Sequence, residues 1–385
     1  MTEPCDLCTS DALQPVYVPP TTKRGLKVHV CADCGLVQSL PRRDRAPRAE
    51  AAISAEADWG NLRYGKGFRT DAHRALLAAL ELPAQPRILD VGANRGHFTR
   101  LAHELWPDAA IIAVEPDERI ADASAGIRHV ELVRKRIEDC SFAADGFDFV
   151  YSAHTLEHLK SPHQTLLDHA RILAPGGRLL IEVPNIDIIG SPDIVEEWFI
   201  DKHLYHFSAA TLEAMLKAAG FAILSGPDPR DGEHLTILAE KRRTRRDIVE
   251  NPAEINRANL LIATYAATRA RNARALIAAA RRLTAERGRF VIWGAGRIFD
   301  ALVRVGGYDP HRLAGLVDEG LANHTAKRHG IALTPSNDLP LLKPDLVLIA
   351  SRSFAGEIAA KVRELTPAAR ILTFSDLLLQ SSRAA

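Results

Sequence analysis

The chain has 385 residues, too many for one ordinary domain and enough for two or three, each with its own core. Lys and Arg number 49 against 48 Asp and Glu, and a formal net charge of +1 calls for neither nucleic acid nor an anionic membrane as partner. No apolar run approaches the ~20 residues of a bilayer span, and MTEPCDLCTS lacks the basic and apolar regions of a secretion signal, so a cytoplasmic location is expected.

Four of the five cysteines, Cys5, Cys8, Cys31 and Cys34, form two CxxC pairs near the start. In a reducing compartment such knuckles read as thiolate metal ligands before disulfides. Four sulfurs leave no open position on a tetrahedral Zn2+, which makes the expected site structural; redox or iron chemistry is the alternative. Cys140 stands apart and is expected to pack as a small hydrophobe.

The Pro/Arg-rich GLVQSLPRRDRAPRAE then reads as a linker, and residues 51 to 80 as an Ala-rich helical stretch. From there apolar runs alternate with amphipathic ones: RILDVG, HFTRLAHEL, AIIAVEP, FDFVYSA, TLLDHARIL and RLLIEVP. That alternation predicts a parallel sheet covered on both faces. SAATLEAMLKAAGF adds a helix, and FAILSG and HLTILAEKR supply closing strands. A long Ala/Arg/Leu helix follows between about Pro252 and Gly288. A second alternating region begins at RFVIWGAG and runs to ILTFSD. The expected division is 1–48, 49–245, a linking helix over 246–288, and 289–385.

The most informative stretch is ILDVGANRGHFTRLA, followed by AVEPD. A strand ending at Asp90, a turn through Gly92, Ala93 and Gly96, and a helix would let a ligand approach the backbone. Glu115, with Pro116 beside it, closes the next strand, where an acid can accept both hydroxyls of a ribose. These residues resemble motifs I and II of class I methyltransferases, and FDFVYSAHTLEHL resembles their fourth strand and loop. The resemblance implies S-adenosylmethionine as cofactor, with Asp90 facing its methionine end and Glu115 its ribose. Where relatives often carry an aspartate this chain has Arg136, leaving Ile137 and Glu138 as the expected adenine contacts. Tyr64 and Arg69, from the segment before the core, are candidates to close over the cofactor.

His154 directly follows a strand end and is a candidate site residue, whereas His158, His163 and His169 read as structural or solvent-facing. The C-terminal GAG lacks a third glycine, with Phe299 in its place, so a degenerate Rossmann module is expected there and a second NAD site is the alternative.

The order of parts, with CADCGLVQ and the terminal GAG/VDE/PDLVLIASRSF run, resembles the sugar C-methyltransferases that act on nucleotide-linked keto-deoxysugars. That resemblance implies an α/β fold: a class I methyltransferase Rossmann-like core, an N-terminal zinc-binding module and a second, C-terminal Rossmann-like domain. It also implies a nucleotide-linked sugar as partner. The family's catalytic stretch, of the form YHEHLSYFS, falls on FIDKHLYHFS, with Ile200 and Lys202 where the family has Tyr and Glu. His203 is then the expected base, Lys202 an oxyanion stabiliser, and His154 or Asp201 its support. O-methylation needs only positioning and one base, so it stays open beside C-methylation. A non-catalytic adaptor is the reading from another class.

Overall fold

The computed structural model describes residues 3–20, 22–42, 68–117, 126–242, 244–321 and 325–382. These fall into two compact units. The first takes the described residues up to 42, those from 68 to Ile189, and Trp198–Ala263; the second takes Gly190–Glu197 and the residues from Thr264 onward. Among the described residues, no helix is long and apolar enough to cross a membrane.

In the first unit, β1 (Leu13–Tyr17), β2 (Lys27–Cys31) and β3 (Val37–Leu40) form an antiparallel meander. At its base the four cysteines converge. Cys5 and Cys34 Sγ lie 3.6 Å apart, Cys8 and Cys31 3.4 Å, and all four sulfurs fall within 4.8 Å of one another.

The central layer begins with α1 (Phe68–Ala78), β4 (Arg87–Val91), α2 (His97–Leu105), β5 (Ala110–Val114), β6 (Val130–Val133) and β7 (Phe147–Ala153). It continues with α3 (Pro162–Ile172), β8 (Leu173–Pro184), β9 (Tyr205–His206), α4 (Ala209–Ala219), β10 (Phe221–Ser225) and β11 (His234–Lys241). Seven of these strands form one sheet in the order β10-β11-β8-β7-β4-β5-β6, in which only β11 runs against its neighbours. The apolar runs of the inner strands are buried on both faces. Leu89, Val91, Val150, Leu179 and Ile181 enter one core, and Ile88, Phe149, Tyr151 and Leu180 the other. Chain order reverses at β4, so a crevice opens beyond its carboxyl end, where open α/β sheets bind ligands. Helix starts are well signalled: Ser161 Oγ accepts from Gln164 N with Pro162 in the first turn, and Ser208 and Thr211 form a reciprocal capping box.

The ninth strand belongs elsewhere. β9 joins the N-terminal meander as its fourth strand, pairing His206 with Val37 and Tyr205 with Gln38. One residue later Phe207 bridges to Asn185 just after β8, tying that meander to the central sheet. Tyr205 and Phe207 are buried in one core with Cys5, Cys31 and Leu36. FIDKHLYHFS is therefore partly a strand, an outcome its two-residue extent hides from periodicity.

Helix α5 (Pro252–Ala285) runs unbroken through 34 residues. The second unit adds β12 (Phe290–Trp293), α6 (Arg297–Arg304), β13 (Gly315–Val317), β14 (Lys327–Arg328), β15 (Ile331–Thr334), β16 (Leu346–Ile349), α7 (Ala355–Leu365), β17 (Arg370–Thr373) and α8 (Phe374–Ser382). Its sheet runs β14-β15-β13-β12-β16-β17, parallel except for β14. Residues 190–197, sequentially inside the 49–245 stretch, are anchored in this unit. Arg352 binds Asp193 at 2.7 Å and Glu196 at 2.6 Å, and Arg269 binds Glu197 at 2.7 Å.

Because Phe207 is fully buried where two sheets meet, Phe207→Ala should lower unfolding free energy by about 3–5 kcal/mol. Denaturant titration of both chains measures this, and a loss below about 1 kcal/mol would show that the junction relaxes around the cavity.

Candidate active site

The crevice is lined first by the turn after β4. Gly92 has φ of 75° and Gly96 of 68°, and Gly96 caps α2. A Cβ on Gly92 would come within 2.1 Å of Thr155 Oγ1, so this position requires glycine for its conformation and for its space. Asn94 also takes a positive φ, 49°, and its N–H donates to Glu115 Oε2 at 2.9 Å. The other Glu115 oxygen accepts from Asp117 N at 2.8 Å. Glu115 is thereby fixed across the turn. Ala93, nearly buried, donates its N–H to Val114 O, and Pro116 is half-buried beside it.

Asp90 is 1% exposed and accepts from Thr99 Oγ1 at 2.6 Å. Burial, with the Glu115 charge adding to it, pushes its carboxyl up to about 7 against the opposing Thr99 bond. Ile137 and Glu138 lie on a 3₁₀ turn after β6. Ile137 packs against the core, and Glu138 Oε1 accepts from Lys160 N at 2.7 Å. Cys140 is half-buried, its Sγ 3.2 Å from Arg136 O. Tyr64 lies outside the described residues, as does the side chain of Arg69, whose backbone is in α1.

The second wall follows β7. His154 sits at φ 51°, with Nε2 3.1 Å from Glu182 Oε1 and Nδ1 3.6 Å from Glu157 Oε1. The other Glu182 oxygen is bound by His73 Nε2 at 2.8 Å and by Thr236 Oγ1 at 2.7 Å, and His73 Nδ1 reaches Tyr151 OH at 3.0 Å. Burial opposes charge on His154, but Glu157 and Glu182 outweigh it and push the imidazole up to about 9. Burial likewise opposes ionisation of Glu157, and the neighbouring His158 and His154 outweigh it, holding that carboxyl below its ordinary range.

His203 lies beside His158, the two ring centroids 4.8 Å apart. His158 Nδ1 is 2.7 Å from the Lys202 carbonyl, and Leu204 N donates to Glu157 O at 2.9 Å, so the two loops are locked by backbone. Asp201 accepts from Thr22 Oγ1 and from Lys23 N at 2.8 Å, which directs its carboxylate to the N-terminal module. His206 is buried with Nε2 3.0 Å from Ser39 Oγ, and burial lowers it to about 3. His169 is likewise buried and lowered to about 4, while His163 lies by Asp6.

The sequence reading groups His154 and His203, takes His158 as structural or solvent-facing, and passes over Glu182, His73 and Glu157. A glutamate inside the apolar RLLIEVP was the available signal, because a fully buried carboxylate needs partners.

The fold of the central sheet is that of a class I methyltransferase domain. Residues 64–225 match the methyltransferase-domain family. The chain is 32% identical over 167 residues to a tRNA U34 carboxymethyltransferase of Azotobacter vinelandii, covering 41% of this chain and 51% of that protein. It is 32% identical over 131 residues to a trans-aconitate 2-methyltransferase of Azoarcus sp., covering 33% and 51%. Thus the chain spans about half the length of the curated relatives it matches. A solved 1,6-didemethyltoxoflavin-N1-methyltransferase of Burkholderia thailandensis, with bound S-adenosylhomocysteine, is 20% identical at a TM-score of 0.37, covering 59% of this chain and 100% of that one. The central domain is that of an S-adenosylmethionine-dependent methyltransferase.

The raised His154 contributes stability that is fully present below its unfolded value near 6.5 and is lost as pH rises through about 9. Unfolding free energy should therefore fall across that window by up to on the order of 3 kcal/mol. His154→Gln should flatten this component; an identical slope in the variant, read by denaturant titration at several pH values, would remove His154 as its source.

Proposed function

We propose that the protein transfers the methyl group of S-adenosylmethionine to an acceptor held beyond the carboxyl ends of β4, β7 and β8. What supports this is the presence of two polar groups on neighbouring loops, which approach at Gly92 and Thr155: the glycine turn with Asp90 and Glu115, and the imidazole–carboxylate cluster of His154, Glu157, His158 and His203. The first suits a cofactor with a cationic methionine end and a ribose, with Gly92, Ala93, Gly96, Pro116, Ile137 and Glu138 around it. The second suits the handling of a proton from the acceptor.

For the acceptor we propose a nucleotide-linked keto sugar methylated at carbon. This reading rests on the order of parts along the whole chain, since the curated relatives cover the central domain only. His203 takes the proton beside the ketone, and its electron pair passes to the carbonyl as an enolate. The enolate carbon forms its bond to the methyl as the carbon–sulfur bond of the sulfonium breaks. The His154 imidazolium, held charged by Glu157 and Glu182, stabilises the oxyanion, with Lys202 nearby in sequence as a further cation. Asp201 acts through position, holding the loop to the N-terminal module.

For the four cysteines we propose a structural Zn2+. Sulfur separations of 3.4 and 3.6 Å fit the edges of about 3.7 Å that Zn–S bonds of roughly 2.3 Å give a tetrahedral site.

Calorimetry should show S-adenosylmethionine binding at micromolar concentrations, and no heat at millimolar cofactor would sink the transfer reading. With nucleotide-linked keto sugars deuterated beside the ketone, the methylated product should lose one carbon-bound deuterium by mass spectrometry. Full retention would mean transfer to oxygen. His203→Ala should lower turnover at least about 100-fold with cofactor affinity within about twofold; wild-type turnover would remove His203 from the reaction.

A further inference from the structure

Glu157 is a buried carboxylate, 1% exposed, and among the described residues no donor in hydrogen-bonding geometry reaches either of its oxygens. The imidazoles beside it offset part of the cost of burying that charge but make no hydrogen bond to it, so a directly bound cation would complete its surroundings. The nearest imidazole atoms, His158 Nε2 and His154 Nδ1, stand off at 3.5 and 3.6 Å from Oε1. Charge-assisted hydrogen bonds close to about 2.7–2.9 Å. The observed spacing is instead near the edge of about 3.4 Å between ligand atoms that share one ion at roughly 2.0–2.1 Å.

His158 is oriented for such a role. Its Nδ1 meets the Lys202 carbonyl at 2.7 Å, which fixes the proton on Nδ1 and turns the Nε2 lone pair toward Glu157. A backbone carbonyl behind the ring is the usual support of a metal-bound histidine. His203 brings a third donor, and one atom from each of Glu157, His158 and His203 lies within 4.8 Å of the others. Both loops are already tied together through Leu204 N and Glu157 O.

We infer that Glu157, His158 and His203 form a second metal site, distinct from the four-cysteine cluster, that takes one first-row divalent transition ion. Two imidazoles and one carboxylate suit Zn2+, Fe2+ or Co2+, and hard-ion sites of carboxylates alone have a different donor set. The ion leaves positions open toward the crevice, because both histidines are only half-buried. It also occupies the His203 lone pair, so the metal-loaded and base-competent states exclude one another. That consequence, reversible inhibition by the ion, rests on the transfer reading above; the metal site does not.

The test is zinc content of the full chain after equilibration with Zn2+ and gel filtration, read by inductively coupled plasma mass spectrometry. Wild type should carry one equivalent more than Glu157→Gln and one more than His203→Ala. Near-ultraviolet circular dichroism and S-adenosylmethionine affinity serve as folding controls, and His158→Gln replaces any variant that fails them. Equal zinc in wild type and folded variants overturns the site, whatever the outcome with cofactor. A missing cofactor heat with the one-equivalent difference intact would overturn only the transfer reading.

Discussion

The candidate site depends on two residues of backbone pairing. Tyr205 and His206 exchange partners with Gln38 and Val37, and Ser39 N extends the ladder to Leu204 O. On the other side Leu204 N binds Glu157 O, and Ile186 N binds Phe207 O. The short strand is thus gripped from three directions, with Tyr205 and Phe207 as buried anchors, and His203 is the residue just before the grip. A loop carrying a candidate base loses precision when it is free to wander. Here an N-terminal module, far away in sequence, supplies the rigidity. Asp201 works toward the same end through Thr22 and Lys23.

Charge is arranged asymmetrically about the crevice. On the turn side Asp90 and Glu115 are two buried acids, and burial holds Asp90 near neutrality's edge at about 7. A cation placed beside it favours the ionised form, so the wall gains most from a positively charged ligand. Across the crevice, Glu157 and Glu182 are also buried acids but stand among imidazoles, and the result is a charged His154 at ordinary pH. One wall is left short of positive charge and the other is nearly balanced. A sulfonium donor and a proton-bearing acceptor would meet that asymmetry from opposite sides.

Much of this was legible in the sequence because it is local. The strand–glycine turn–helix at Ile88–Ala102, the capping serines and the long α5 each follow from residues within a few positions of one another. The convergence of Cys5, Cys8, Cys31 and Cys34 follows from repeated spacing. What stayed hidden is non-local. No spacing rule brings His73 to Glu182 across 109 positions, or Ser39 to His206 across 167. Nor does any spacing rule place the His158 ring beside His203, because the link is its contact with a carbonyl 44 residues away. Even so, the glutamate in RLLIEVP and the glutamate of TLEHL were visible as polar residues in apolar settings, and both prove to organise the polar wall.

The C-terminal unit shows how far a glycine turn with an acid can be trusted. There Gly294 takes φ of 113°, and a Cβ on it would meet Ala350 O at 2.6 Å. Asp318, at the end of the neighbouring strand, accepts from Ala295 N at 2.9 Å and from Leu321 N at 2.8 Å. Glu115 does the same in the first unit, with Asn94 N and Asp117 N. In both cases an acid after the second strand fastens the turn after the first, which is reason enough for the pair to exist in any such sheet. The pair therefore establishes a parallel βαβ geometry, and ligand specificity must come from other groups. In the first unit those groups are Asp90 beneath the turn and the imidazole cluster across from it. In the second unit Ile292 and Trp293 precede Gly294 where Asp90 and Val91 precede Gly92 in the first, so an apolar side chain takes the aspartate's position. We assign the proposed transfer to the first unit on the strength of those groups.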